Sequence, residues 1–280
     1  MTRYNSSKYR VVPLMDAING NLESINKLLA LVGFSVNSLP IHCFYGDFEK
    51  KLKPTKKHLI GLVDYLRQRK CNITDITDSE IRGSNERRKL FFGSETEKNN
   101  TANAAKAIIE KEYDQINQQS KGWYIFEGYT HPDVFLEGED YIILCEGKWT
   151  EAKITNETTH LKNARGEQRN QMIRHIQATL NYCNTEKLVY AFYIVDSECG
   201  YLDALTKDAF CKQLNNETIQ LPEKEKELIS SAFYGYTTWQ KIKTALPCVN
   251  FPSKEEIDMM RVNTNATVKM ISPRSRCFCD

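Results

Sequence analysis

The sequence predicts an α/β fold: a mixed central sheet flanked by helices, preceded by a mostly helical N-terminal region. Three observations point there. Between residues 94 and 195 the periodic segments run helix, strand, strand, strand, helix, strand, the order of a sheet with helical connections. Two of these strands, at about 133 to 137 and 141 to 148, are separated only by Gly138-Glu139-Asp140, as in a β-hairpin. Lys187 to Val195 is apolar almost throughout, the pattern of a strand covered on both faces.

Each element has a local cause. Leu14, Ile18, Leu22, Ile25, Leu28, Leu29 and Val32 recur at helical spacing, so residues 14 to 34 read as one helix stopped by Gly33. Pro54 opens a second helix, with Leu59, Leu62, Val63 and Leu66 on its inner face and basic residues outside. The polar stretch 72 to 85 reads as a linker. Ser94-Glu95-Thr96-Glu97 fits a capping box, starting a helix that runs to about Gln118. Trp123 to Glu127 reads as a short strand, Gly166 to Tyr182 as a helix, and 201 to 214 and 222 to 246 as further helices. The expected organisation is a helical, partly basic region over 1 to 90, a core with C-terminal helices over 91 to 250, and a tail over 251 to 280.

A chain of 280 residues, 41% hydrophobic and 26% charged, suits one large domain or one domain with an appendage. Nine cysteines without a CxxC pair read as reduced, cytosolic usage, and Cys277 with Cys279 falls short of a metal site. Residues 1 to 10 lack the apolar core of a signal peptide, and no apolar run reaches membrane-spanning length. A soluble, cytoplasmic protein with no membrane partner is therefore expected. The net charge of +2 hides a local bias: Lys50, Lys51, Lys53, Lys56, Lys57, Arg67, Arg69 and Lys70 face a single acid, Asp64, in the same stretch. Such a patch suits a polyanion, and Lys56 and Lys57 are candidate nucleic-acid contacts. HExxH, P-loop and GxSxG motifs are absent from the sequence.

The chemistry concentrates in the hairpin. Strand alternation puts Ile142, Leu144, Glu146 and Lys148 on one face and Tyr141, Ile143, Cys145 and Gly147 on the other. With Glu139-Asp140 at the tip, Asp133 falls opposite Glu146; with Gly138-Glu139 there, it lies one step diagonal on the same face. Two adjacent carboxylates repel and call for a cation between them. Mg²⁺ takes oxygen ligands and favours one or two carboxylates, so Asp133, Glu146 and the Gly147 carbonyl are candidate ligands, with Mn²⁺ the alternative ion. Lys148 would orient water and stabilise charge developing on a phosphate.

Pro132-Asp133, followed by Glu146-Gly147-Lys148 at the end of an apolar strand, resembles the PD-(D/E)XK nuclease superfamily, which includes many restriction endonucleases. The resemblance spans roughly residues 94 to 195 and leaves out the N-terminal region and the C-terminal helices. A second Glu-x-Lys, Glu151-Ala152-Lys153, lies in a polar continuation, whereas Glu146 and Lys148 end a hydrophobic strand. The resemblance implies a restriction-endonuclease-like core, metal-dependent phosphodiester hydrolysis, Asp133 and Glu146 on the metal, and Lys148 beside the nucleophilic water. It also implies an acid from the preceding helix, for which Glu97 fits best and Glu112 is the runner-up. From the following helix it implies Gln171 at the reacting groups and Arg169 and Arg174 on the nucleic-acid backbone. The expected function is an endodeoxyribonuclease of restriction or defence type, DNA being preferred over RNA on the family's majority. The alternatives are a repair or recombination nuclease, an RNase, or a catalytically silent nucleic-acid-binding or scaffold module on the same fold. A homodimer or a partner protein is the expected assembly.

Overall fold

The computed structural model describes residues 5–68, 89–90, 92–114, 129–150, 170–217 and 221–260. The strand expected at Trp123 to Glu127, the linker at 72 to 85, the helical start from Gly166 to Arg169, Glu151 to Lys153, and Cys277 with Cys279 lie outside them. The class is α/β, built on a five-stranded mixed sheet whose strands lie in sequence order. Strands β1 (His42–Tyr45), β2 (Val134–Glu137) and β3 (Tyr141–Gly147) pair antiparallel in succession. Strands β4 (Leu188–Val195) and β5 (Phe233–Thr238) then add parallel to β3 and to each other.

The hairpin between β2 and β3 adopts the tighter turn. The Gly138 N–H donates to the Tyr141 carbonyl at 2.9 Å, leaving Glu139-Asp140 at the tip. A Cβ on Gly138 would lie 2.2 Å from the Tyr141 ring, so the turn needs glycine there. Val134 then pairs with Cys145 and Glu137 with Ile142. One residue further along this register, Asp133 stands opposite Glu146.

Strand alternation sorts the apolar residues into two layers. Phe135, Ile142, Leu144, Ala191 and Tyr193 face Met172, Ile173 and Ile176 of helix α5 (Gln171–Tyr182), with α6 (Lys207–Asn215) and α7 (Glu223–Ala232) completing that layer. Val134, Leu136, Ile143, Cys145, Phe192 and Ile194 face α1 (Val12–Ile18), α2 (Leu22–Ala30) and α8 (Trp239–Ala245). A third cluster joins α3 (Lys56–Gln68) to α4 (Glu95–Glu112) through Leu59, Leu62, Val63, Leu66, Ala102, Ala105 and Ile109. The capping box that starts α4 is formed: Ser94 accepts from the Glu97 N–H, and Glu97 accepts from the Ser94 N–H at 2.9 Å.

Three elements differ from the sequence reading. The helix expected over 14 to 34 is two helices, because Gly20 adopts φ +74° and Asn21 caps α2 by accepting from the Ser24 N–H at 2.9 Å. The helix expected over 222 to 246 contains β5, where the aromatic and β-branched run Phe233-Tyr234-Gly235-Tyr236-Thr237-Thr238 outweighs helical spacing. Gly235 at φ +81° lies at the register shift of β5 against β4. The region expected as mostly helical also supplies edge strand β1, whose four residues are too short to display a period. Among the described residues no helix is long and apolar enough to cross a membrane.

Candidate active site

The site forms where β3 runs out of its apolar face. Ile142 and Leu144 bury in the core below, and Glu146 and Lys148 follow on the same face, 3% and 7% exposed. Lys148 Nζ donates to Glu146 Oε1 at 2.9 Å. Asp133 Oδ2 accepts the Gly147 N–H at 2.8 Å, tying the end of β2 to the end of β3. A strand residue sends its N–H and C=O to the same side, so the Gly147 carbonyl also faces the Asp133 edge.

The opposite face fixes this end of β3 from below. A Cβ on Gly147 would come within 2.7 Å of Val11 Cγ2 and 3.2 Å of the Trp239 ring, so a side chain cannot enter without shifting Val11 and crowding Trp239. Trp239 Nε1 donates to the Lys148 carbonyl at 2.8 Å. Arg10 stacks 3.4 Å from the centre of the Trp149 ring and donates to the Pro252 carbonyl at 2.8 Å. These contacts set the backbone of residues 147 to 149 and thereby the direction of the Lys148 side chain.

Helix α5 delivers the second half of the site. Asn170 caps it, accepting from the N–H groups of Met172 and Ile173, and is itself held by Gln213 and the Tyr193 hydroxyl. Gln171 Nε2 donates to Glu146 Oε1 at 2.9 Å, and Lys148 Nζ donates to Gln171 Oε1 at 3.3 Å. One turn later His175 Nε2 lies 3.1 Å from Glu146 Oε2, and His175 Nδ1 lies 2.6 Å from Thr130 Oγ1. Gln171 and His175 are four residues apart, so one helix face presents both to the same carboxylate.

The electrostatics are uneven. Burial alone would raise the Glu146 carboxyl, but the Lys148 ammonium and the hydrogen bonds from His175 and Lys148 outweigh it and hold it well below the usual range. Asp133 goes the other way, pushed up by burial and by the neighbouring Glu146 charge. Glu49 is the third carboxylate of the cluster; burial and the Glu146 charge push it up to about 7. His131 Nδ1 stands 4.0 Å from Glu49 Oε2, and its Nε2 is buried with no hydrogen-bond partner among the described residues. Two of the three acids thus resist ionisation, the condition a divalent cation relieves.

The structure therefore brings Asp133, Glu146, Gly147, Lys148 and Gln171 together. It does not bring Glu97, which stays exposed in its capping box on α4, or Glu112, exposed near the end of that helix. Arg174 is buried in α5 rather than on a solvated face. Lys56 pairs with Glu110 at 2.9 Å, Lys57 is exposed, and Arg169 lies outside the described residues. Sequence reasoning did not single out Glu49, His175 or Thr130. Helical spacing from Gln171 could have found His175. Glu49 follows a short 3₁₀ turn in a segment whose other charges are mostly basic, and no local pattern marks it.

The donor set fits a hard cation: two carboxylates and a backbone carbonyl, all oxygen. Among the described residues no three His, Cys, Asp or Glu side chains form a ready-made metal cage, and both Glu146 oxygens already accept hydrogen bonds. A cation at Glu146 Oε1 would take the place that the Lys148 ammonium and the Gln171 amide occupy. Comparison with family models, with curated proteins and with solved structures gave no match.

Proposed function

We propose that the chain is a divalent-metal-dependent nuclease of the PD-(D/E)XK kind, cutting phosphodiester bonds, with DNA as the first substrate to test and restriction or defence as the setting. The observation that carries this reading is the register of the hairpin. It sets Asp133 opposite Glu146, while Lys148 and Gln171 both bond the same Glu146 oxygen.

Asp133, Glu146 and the Gly147 carbonyl would hold Mg²⁺ or Mn²⁺, whose chemistry there is to polarise the phosphate and acidify water. Lys148 keeps a proton-bearing ammonium beside the cluster, where it offsets charge growing on the phosphate oxygens. Gln171 bridges Glu146 and Lys148 and holds them in one arrangement. The raised proton affinities of Asp133 and Glu49 make the cluster a poor place for a second anion until a cation is present.

A second reading, a catalytically silent nucleic-acid-binding module on the same fold, draws support from the closed set of hydrogen bonds around Glu146. Cleavage of single- and double-stranded DNA and RNA, with Mg²⁺ or Mn²⁺ and with a chelator, separates the two. The nuclease reading expects metal-dependent cutting that Asp133→Asn reduces by more than the roughly 10–100-fold that loss of an outer partner of a metal ligand costs. Asp133→Asn keeps the side chain's shape and an oxygen to accept the Gly147 N–H, so the fold is retained. Binding of nucleic acid without cutting under either metal would favour the silent module.

A further inference from the structure

Resting on the nuclease reading, we propose that His175 is a positioning residue for the metal-binding carboxylate: a Thr130–His175–Glu146 chain of hydrogen bonds aims Glu146 before any metal arrives. An ionised carboxylate only accepts hydrogen bonds, so at 3.1 Å from Glu146 Oε2 the His175 Nε2 must carry the proton. Nδ1 is then bare and accepts the Thr130 hydroxyl proton at 2.6 Å. This assignment gives every member of the chain its complementary role. Thr130, His175 and Glu146 are 5%, 1% and 3% exposed, so water does not compete for these bonds.

The far end of the chain is anchored. Thr130 exchanges both backbone hydrogen bonds with Leu52, at 2.9 and 3.0 Å, in an isolated antiparallel bridge. Leu52 is buried in the same core layer as Ile142 and Leu144. The residue whose hydroxyl fixes the imidazole tautomer is therefore tied by its backbone to a buried core residue. With Oε2 committed to His175, the carboxylate plane is set and Oε1 is the oxygen presented to Lys148 and Gln171. Partners that orient a metal ligand in this way change metal affinity about 10–100-fold when removed.

The imidazole offers a test that separates positioning from packing. In His175→Gln the amide nitrogen falls near Nε2 and keeps the donor to Glu146. In His175→Asn it falls near Nδ1, within reach of Thr130 only. Mn²⁺ binding to the full chain, followed by the loss of the free-ion electron paramagnetic resonance signal, needs no cleavage. The expected result is an affinity about 10–100-fold weaker in His175→Asn, near wild type in His175→Gln, and reduced to a smaller degree in Thr130→Val. Thermal melting without metal identifies variants that fold; if His175→Asn does not, Thr130→Val against His175→Gln carries the comparison. Equal affinity in the Asn variant and wild type, or an equal loss in the Asn and Gln variants, overturns the positioning role and leaves the nuclease reading intact. Absence of any saturable Mn²⁺ site in the wild type overturns that reading, and the positioning role falls with it.

Discussion

Two charged regions lie close together in this chain and resolve in opposite ways. In the basic stretch around Lys50 to Lys56, three of the four lysines are paired with other parts of the fold. Lys50 lies over the rings of Phe44 and Tyr182, at 4.8 and 4.4 Å, and donates to the Tyr182 hydroxyl. Lys53 donates to the Tyr113 and Asp114 carbonyls, and Lys56 pairs with Glu110. The acidic cluster of Glu49, Asp133 and Glu146 does not balance so fully: Glu146 is paired, while Asp133 and Glu49 hold their protons tightly. The difference teaches that a count of charges locates neither region's function. Carboxylates left under electrostatic load mark a candidate site, because ordinary ion pairing tends to remove such load.

Removing the lysine from each region is the sharpest way to break that contrast. Lys148→Met leaves Glu146 buried beside two other acids, and its expected cost is about 3–5 kcal/mol in urea denaturation without metal. A loss below about 1 kcal/mol would show that the cluster is not under electrostatic load. Gly147→Ala comes next, at about 1–3 kcal/mol, because its Cβ meets Val11 and Trp239 on the apolar face. A wild-type melting temperature for that variant would mean that the support beneath the site yields freely.

A smaller effect concerns pH. Glu49 is held up to about 7 against an ordinary 4.5. Across that window the folded chain binds the proton more tightly than the unfolded chain, so this group makes stability fall as pH rises from 4.5 to 7. Glu49→Gln should flatten that slope and raise the melting temperature at pH above 7; an unchanged slope would place the load elsewhere. The smallest effect belongs to the basic stretch. Lys56→Met breaks a half-exposed ion pair, so its expected cost is below about 1 kcal/mol, with nucleic-acid affinity unchanged in a salt titration. A clear loss of affinity would return Lys56 to the substrate surface.

The hairpin was legible because a strand's period of two fixes which residues share a face. Glu139-Asp140 needed only a choice between two turns, and the register then set Asp133 against Glu146. Gln171 was singled out only through the resemblance, which implies a residue of the following helix near the site; in the structure its amide reaches Glu146. Glu97 misled because its side chain satisfies the helix terminus, and α4 packs on α3. Glu49 was hidden because only the tertiary fold carries its segment to the hairpin, and Thr130, though next to the hairpin in sequence, shows its role only through its contact with His175. The lysines read as a patch because the sequence shows charges without their partners, such as Glu110 and the Tyr113 carbonyl. β5 was the avoidable error, since its aromatic and threonine run was in plain view inside the expected helix.

Asp133 and Glu146 sharing one divalent ion is the central claim, and diffraction from crystals soaked in Mn²⁺ tests it most directly. The expected result is a single strong anomalous peak between the two carboxylates, bordered by the Gly147 carbonyl and absent from crystals of Asp133→Asn. A peak elsewhere, or one that survives Asp133→Asn undiminished, would contradict it.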